Sequence, residues 1–74
     1  MEKIKKILLK INNEIDFESE DFMADGYLDS FSFMELIGAL EESYQIDIFG
    51  EEIEIEKFKN IQAIMDYLNA KGVL

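Results

Sequence analysis

Three stretches of this 74-residue chain repeat apolar side chains at the spacing of one face of an α-helix. They cover about residues 2–13, residues 30–44 and a third stretch between Asn60, a suitable N-cap, and Gly72, which suits a C-terminal cap. The predicted buried residues are Ile4, Ile7, Leu8 and Ile11, then Phe33, Leu36, Ile37, Leu40 and Tyr44, then Ile61, Ile64, Met65 and Leu68. Only residues 53–55 alternate as a strand would, and no second alternating segment could pair with them. The sequence therefore predicts an all-α fold, a small four-helix bundle of three main helices and one short helix near residues 56–58.

The amino-acid types that are missing limit the chemistry of the chain. With no cysteine there are no disulfides and no thiolate metal sites, which favours a reducing cytoplasm. Histidine is absent and all seven basic residues are lysine, so the usual base of a serine hydrolase and the arginine of many phosphoryl-transfer sites are missing. No apolar run approaches the ~20 residues that cross a membrane. We expect a single domain, residues 1–74, that is not an enzyme and does not insert into a membrane.

The charge of the chain is large and unevenly distributed. The formal net charge is −10, and no basic residue lies between Lys10 and Lys57. All of the 17 acidic residues except Glu2 and Asp66 lie in that central stretch. Such a field repels nucleic acid and attracts basic protein surfaces, although it also keeps a small domain in solution. Charge alone leaves both interpretations open.

Residues 26–36, GYLDSFSFMEL, mark the start of the second predicted helix. Asp29, Ser30 and Ser32 are all residue types that cap a helix N-terminus. Ser32 and Glu35 have the S-x-x-E spacing of a capping box, so we assign the capping role to Ser32. Ser30 alone among the serines both follows an aspartate and opens a helix, which makes it the candidate for a further role.

A second, narrower apolar row runs along the same helix at Phe31, Met34 and Gly38, offset from the buried face. It is flanked by three acidic residues, Glu35, Glu41 and Glu42. The row is either the rim of the core or an exposed docking strip. Because glycine within a helix costs about 1 kcal/mol relative to alanine, Gly38 favours close approach of another molecule.

The stretch around Ser30 resembles the phosphopantetheine attachment site of acyl and peptidyl carrier proteins. Their Asp-Ser-Leu or Asp-Ser-Met core corresponds to DSF at residues 29–31. Downstream, MELIGALEESYQIDI at residues 34–48 is similar to the second helix of that family and its following loop, and FKNIQAIMDYL at residues 58–68 is similar to its last helix. The resemblance covers nearly the whole chain in the same order.

This resemblance implies a bundle of the acyl-carrier type that bears 4'-phosphopantetheine on Ser30. A separate phosphopantetheinyl transferase would attach the group from coenzyme A and recognise Asp29. The terminal thiol of the arm would hold an acyl or aminoacyl group as a thioester, loaded by a ligase and used by a downstream acyltransferase or synthase. Partners would dock along the second helix, on Phe31, Met34, Glu35, Gly38, Glu41 and Glu42, and the carrier would be a monomer.

The sequence departs from the family pattern at three places. Phe31 follows the serine where leucine or methionine is usual, and Phe49 stands where proline often follows the isoleucine of the loop. The position of Gly26 in GYLDS resembles free-standing aminoacyl carriers, such as D-alanyl carrier proteins, more than fatty-acid carriers.

Two other interpretations compete with a carrier. A calcium loop starting at Asp21 would have Asp25, Gly26 and Asp29 at acceptable positions, but Met23 and Ser32 occupy two main ligand positions. The second is a small acidic interaction module without a prosthetic group, which accounts for the charge but not for the surroundings of Ser30.

Overall fold

The computed structural model describes all 74 residues, in which three α-helices are joined by long connections and no strand occurs. The helices are α1 at Glu2–Ile11, α2 at Ser30–Tyr44 and α3 at Ile61–Ala70. Two 3₁₀ turns, Gly50–Glu52 and Ile55–Lys57, lie between α2 and α3. The all-α prediction is confirmed, and the predicted short helix corresponds to the second 3₁₀ turn. None of the helices combines the length and apolarity needed to cross a bilayer.

Helix α1 ends two residues earlier than predicted because Asn12 turns the chain. Its backbone is extended, with φ −148°, and its side-chain oxygen accepts the N–H of Glu14 at 2.9 Å. The amide nitrogen of the same side chain donates to the carbonyl oxygen of Tyr27 at 3.0 Å. Asn12 therefore connects the end of α1 to the segment just before α2.

The core combines the predicted stripes with apolar residues from the connections. Of the predicted stripe residues, Ile11, Tyr44 and Met65 are only partly buried, and the ammonium of Lys3 lies 4.6 Å from the ring centroid of Tyr44. Phe58 is fully buried between Phe33 and Tyr67, with ring centroids 6.0 and 4.8 Å away. The 16 core residues are Ile4, Ile7, Leu8, Ile15, Phe22, Leu28, Phe33, Leu36, Ile37, Leu40, Ile48, Phe58, Ile61, Ile64, Tyr67 and Leu68.

The acidic loop, residues 12–29, is held down by its own apolar side chains and by the start of α3. Phe22 and Leu28 are buried in the core, and Phe17 and Tyr27 pack against it. The N–H of Phe22 donates to the carbonyl oxygen of Lys59 at 2.7 Å. The side chain of Asn60 donates to the carbonyl oxygen of Glu20 at 2.9 Å. The loop is thus anchored to the chain just before α3.

Both ends of α3 are capped as the sequence predicts. At the N-terminus, the side-chain oxygen of Asn60 accepts the N–H of Ala63 at 2.7 Å. At the C-terminus, Gly72 has φ +80°, and Val73 returns a hydrogen bond to the carbonyl oxygen of Leu68. This arrangement is a Schellman motif, in which glycine adopts the left-handed conformation without a steric penalty.

The 3₁₀ segment is fastened to α3 by a group of three polar side chains. The hydroxyl of Tyr67 donates to Glu52 Oε1 at 2.9 Å, and the ammonium of Lys71 lies 2.8 Å from the same oxygen. The two partners hold the pKa of Glu52 below its ordinary value, with the Lys71 hydrogen bond as the largest cause. In return, the hydrogen bond to Glu52 raises the pKa of Lys71. This three-residue group fixes the first 3₁₀ turn against the last helix.

Candidate functional site

Asp29 is the N-cap of α2, and Ser30 is the first residue of the helix. The carboxylate of Asp29 accepts the backbone N–H of Ser32 at 2.8 Å, and Ser32 Oγ accepts the N–H of Asp29 at 2.8 Å. These reciprocal bonds form a capping box. The predicted box between Ser32 and Glu35 is therefore wrong, because Ser32 is the third residue of the helix rather than its cap.

The side chain of Ser30 is exposed and free of intramolecular contacts that a substituent would break. Its hydroxyl takes part in none of the side-chain hydrogen bonds of the chain, whereas Ser19 and Ser32 use theirs in local turns. The N–H groups of Ser32 and Phe33 are already used, by the side chain and carbonyl of Asp29. A phosphate ester on Ser30 would lie beside the positive end of the α2 dipole, which favours negative charge. The residues present fit the group that the resemblance implies.

Asp29 is held in its ionised form. Hydrogen bonds from Ser32, first from its backbone N–H and then from its side chain, lower the pKa of Asp29. Hydrogen bonds to the charged form are the ordinary cause of such a shift. The site thus combines a free hydroxyl with a neighbouring carboxylate that stays negative near neutral pH.

Hydrogen bonds to the backbone hold the turn that precedes Asp29. Gly26 has φ +81°, which an L side chain rarely adopts, and the N–H groups of Tyr27 and Leu28 both donate to the carbonyl oxygen of Phe22. Asn12 holds the carbonyl of Tyr27 from the other side. This role of Asn12 was not predicted from the sequence. The available signal was a polar amide directly after Ile11, the last apolar residue of the first helical pattern.

The apolar row of α2 is exposed rather than part of the core rim. Phe31 is 77% exposed and Met34 is 52% exposed. A Cβ atom at Gly38 would meet no atom within 4 Å, so nothing in the chain approaches this glycine. We call Phe31, Met34 and Gly38 the apolar strip. The structure places it on the solvent side of α2, beginning directly after Ser30.

The three acidic residues beside the strip differ in their surroundings. Glu35 and Glu42 line a groove of about 300 Å³ between α1 and α2, which Lys10 also lines. Glu41 is partly buried, and its carboxylate accepts the backbone N–H of Ile48 at 2.9 Å. Of the acidic residues predicted for docking, Glu41 therefore also supports the loop after α2.

Two further large apolar side chains are exposed in the segment between α2 and α3. Phe49 is 59% exposed and Ile55 is 47% exposed. The exposure of these two residues was not predicted: Phe49 is identified from the sequence only as a replacement for proline, and Ile55 only as part of an ambiguous alternating segment. The alternation of Ile53 and Ile55 with glutamate was the available signal, but it did not distinguish a strand from an irregular segment.

In the segment around Asp21 that was considered as a calcium loop, the acidic side chains accept hydrogen bonds from other groups of the chain. Ser19 Oγ donates to Asp25 Oδ2 at 2.6 Å, and Asp21 Oδ1 accepts the N–H groups of Met23 and Ala24. No group of three or more acidic side chains is arranged to hold a metal ion. The carboxylates of this loop stabilise turns.

Comparison with known proteins points to one family. A family model described as a phosphopantetheine attachment site matches residues 2–68. The chain is 40% identical over 73 residues to an acyl carrier protein of Buchnera aphidicola subsp. Schizaphis graminum, covering 95% of this chain and 90% of the relative. It is 36% identical over 74 residues to an acyl carrier protein of Thermosynechococcus vestitus, covering 96% of this chain and 89% of the relative.

Proposed function

Because this chain belongs to the family of carrier proteins with a phosphopantetheine attachment site, we propose that Ser30 is the residue to which its prosthetic group is attached. The chain is a carrier with a covalently attached 4'-phosphopantetheine arm, and it is not an enzyme, because the family is non-catalytic. An acidic interaction module without a prosthetic group does not account for a match to the attachment-site family along residues 2–68.

One observation supports Ser30 above the other serines. Its hydroxyl is exposed and unbonded at the start of α2, whereas Ser19 is buried and Ser32 belongs to the capping box. Ser43 lies near the other end of α2, where no helix dipole would favour a phosphate. Asp29, kept ionised beside Ser30, is the residue that the phosphopantetheinyl transferase reads.

The arm supplies a terminal thiol that holds a carboxylic acid as a thioester. The chain itself provides a fixed hydroxyl, a neighbouring carboxylate and an exposed helix face. The partner enzymes would supply the catalytic bases and cationic groups. The carrier therefore needs none of its own, which agrees with a sequence that has no histidine, cysteine or arginine.

The apolar strip and the acidic residues beside it form the docking surface for those partners. Phe31 and Met34 offer apolar area that no part of the chain covers. Glu35 and Glu42, with Glu41 behind them, add negative charge that steers basic partner surfaces. We assign the transferase, the loading ligase and a downstream acyltransferase or synthase to this face. The carrier acts as a monomer and as one domain, residues 1–74, in the cytoplasm.

The attachment site is tested by intact-mass measurement after incubation with coenzyme A and a broad-specificity phosphopantetheinyl transferase. We expect the wild-type chain and Ser43→Ala to gain one phosphopantetheine, and Ser30→Ala to gain none while keeping its helical circular dichroism. A modified Ser30→Ala chain would show that another serine carries the arm.

The cargo is a separate part of the proposal. The relatives are named acyl carrier proteins, which favours a fatty acyl group, whereas the position of Gly26 favours an aminoacyl group of the D-alanyl type. Incubating the modified chain with a fatty acyl ligase, and separately with a D-alanyl ligase, decides between them. Loading at a higher kcat/KM by one ligase identifies the cargo class.

A further inference from the structure

Ser32 contacts the Asp29 carboxylate with both its backbone and its side chain. Its N–H donates to Asp29 Oδ1 at 2.8 Å, and its hydroxyl lies 2.9 Å from the same oxygen. The same hydroxyl oxygen accepts the N–H of Asp29 at 2.8 Å. Both bonds from Ser32 therefore go to Oδ1, and neither uses Oδ2. The backbone N–H of Phe31 makes a smaller contribution to the lowered pKa of this carboxylate.

No other side chain fixes the orientation of Asp29. The residue is exposed, and the carboxylate of an exposed aspartate ordinarily rotates between several arrangements. Two hydrogen bonds to the same oxygen remove that freedom and leave Oδ2 open to a partner. Charge-assisted hydrogen bonds are the stronger kind, so they are suited to hold a carboxylate at the surface.

We infer that Ser32 is a positioning residue for the modification of Ser30, because it orients Asp29 so that Oδ2 is presented to the transferase. This inference rests on the proposed function. In the transfer, Ser30 Oγ forms a bond to the phosphorus that carries the pantetheine of coenzyme A. The bond from that phosphorus to the adenosine bisphosphate breaks, and the serine proton passes to a base on the transferase.

The test compares the rate of modification of full-length variants with a broad-specificity transferase and coenzyme A. Removing the hydroxyl in Ser32→Ala should lower kcat/KM about tenfold, the scale of one lost hydrogen bond to a charged group. Ser32→Thr keeps a hydroxyl and should recover most of the rate. Ile64→Val lowers stability through the core, far from the cap in sequence, and serves as the control with an unchanged rate.

A double-mutant cycle separates positioning from a general loss of structure. In an Asp29→Asn background, removing the Ser32 hydroxyl should change the transfer rate less than about twofold, because the charged group on which Ser32 acts is gone. The assay is run below the melting temperature of every variant, and circular dichroism confirms that each is folded.

Two results would overturn the inference while leaving the proposed function intact. One is a Ser32→Ala chain modified at the wild-type rate. The other is an equal loss of rate in Ser32→Ala and Ile64→Val at matched melting temperatures. Failure of the proposed function looks different, since Ser30→Ala would then still gain mass.

Discussion

The carboxylate of Glu41 accepts a hydrogen bond from the backbone N–H of Ile48, with 2.9 Å between Oε2 and the nitrogen. Between them the chain passes through Gln45, which has the left-handed backbone φ of +55° and ends α2. Ile48 is buried in the core. The bond therefore stabilises the turn after α2, in which the chain reverses its direction and Ile48 packs into the core.

Replacing Glu41 by alanine should destabilise the fold, whereas replacing Glu42 should not. The backbone N–H of Ile48 loses its partner in Glu41→Ala, so we expect the free energy of unfolding to fall by about 1–2 kcal/mol. Glu42→Ala removes the same charge from an exposed position and should stay within about 0.5 kcal/mol of wild type. Urea unfolding of both variants measures the difference. Equal values would show that Glu41 acts only as a surface charge.

Met34 and Ile37 should differ strongly in their effect on stability. Ile37 is 2% exposed in the core, so Ile37→Ala should cost about 2–5 kcal/mol. Met34→Ala should cost less than about 0.5 kcal/mol because this side chain is half in solvent. With a partner enzyme immobilised on a sensor surface, Met34→Ala should instead dissociate faster. A melting temperature lowered as much as in Ile37→Ala would place Met34 in the core.

Alanine should stabilise the chain at Gly38 and destabilise it at Gly26. The Cβ of Gly38→Ala meets no atom within 4 Å, and alanine is the better helix former by about 1 kcal/mol. Gly26 has φ +81°, so alanine there is strained by about 1–3 kcal/mol. Thermal unfolding of the two variants should move in opposite directions.

If Gly38 provides close approach for a partner, Gly38→Ala should also bind the transferase more weakly despite its higher melting temperature. If Gly38→Ala is more stable but binds the transferase as well as wild type, Gly38 is not part of the docking surface. Phe31 and Met34 need their own variants.

The bonds among Glu52, Tyr67 and Lys71 should make stability depend on pH. The pKa of Glu52 is lowered in the folded chain, so its contribution is present above its unfolded pKa and is lost as the pH falls through the folded value. The raised pKa of Lys71 acts in the other direction, since that contribution is lost only as the pH rises through its folded value in strong base. The window of full stabilisation therefore includes neutral pH.

We expect Glu52→Gln to melt below wild type at neutral pH, with the gap closing in acid below the ordinary pKa of a glutamate. Glu51→Gln removes the same charge from the neighbouring exposed residue and is the control. Melting temperatures measured across the pH range test this. A gap that persists unchanged in acid would mean that the ion pair does not provide the stabilisation.

The helices were readable from the sequence because their apolar spacing is local. The bounds of α2 agree with the prediction. The offset of Phe31 and Met34 from the buried face left two possibilities, the rim of the core or an exposed strip, and the structure shows both side chains exposed. The cap was not readable. Asp29, Ser30 and Ser32 have similar capping preferences, and the choice among them is made by the turn at Gly26, which depends on contacts with Phe22 and Asn12.

The segment between α2 and α3 was predicted only in part, for the same physical reason: the short helix near residues 56–58 corresponds to the second 3₁₀ turn, whereas the first turn was not predicted. Its two 3₁₀ turns lack a strong apolar period of their own. They are fixed by contacts with distant residues, such as that of Glu52 with Tyr67 and the burial of Phe58 against Phe33. Tertiary contacts of this kind do not produce a repeating pattern of apolar residues within the segment, so the local sequence does not predict them.

The hydrogen bond from Asn60 to the carbonyl oxygen of Glu20 joins residues 40 positions apart. During synthesis the chain emerges from its N-terminus, so the acidic loop that leads to Ser30 is made well before the residues that anchor it. A nascent chain that ends before Lys59 lacks both bonds that anchor the acidic loop, the one from Phe22 to Lys59 and the one from Asn60 to Glu20. The segment that leads to Ser30 is therefore anchored only after Lys59 and Asn60 have left the ribosome, so the proposed function predicts that modification of Ser30 follows the synthesis of these residues.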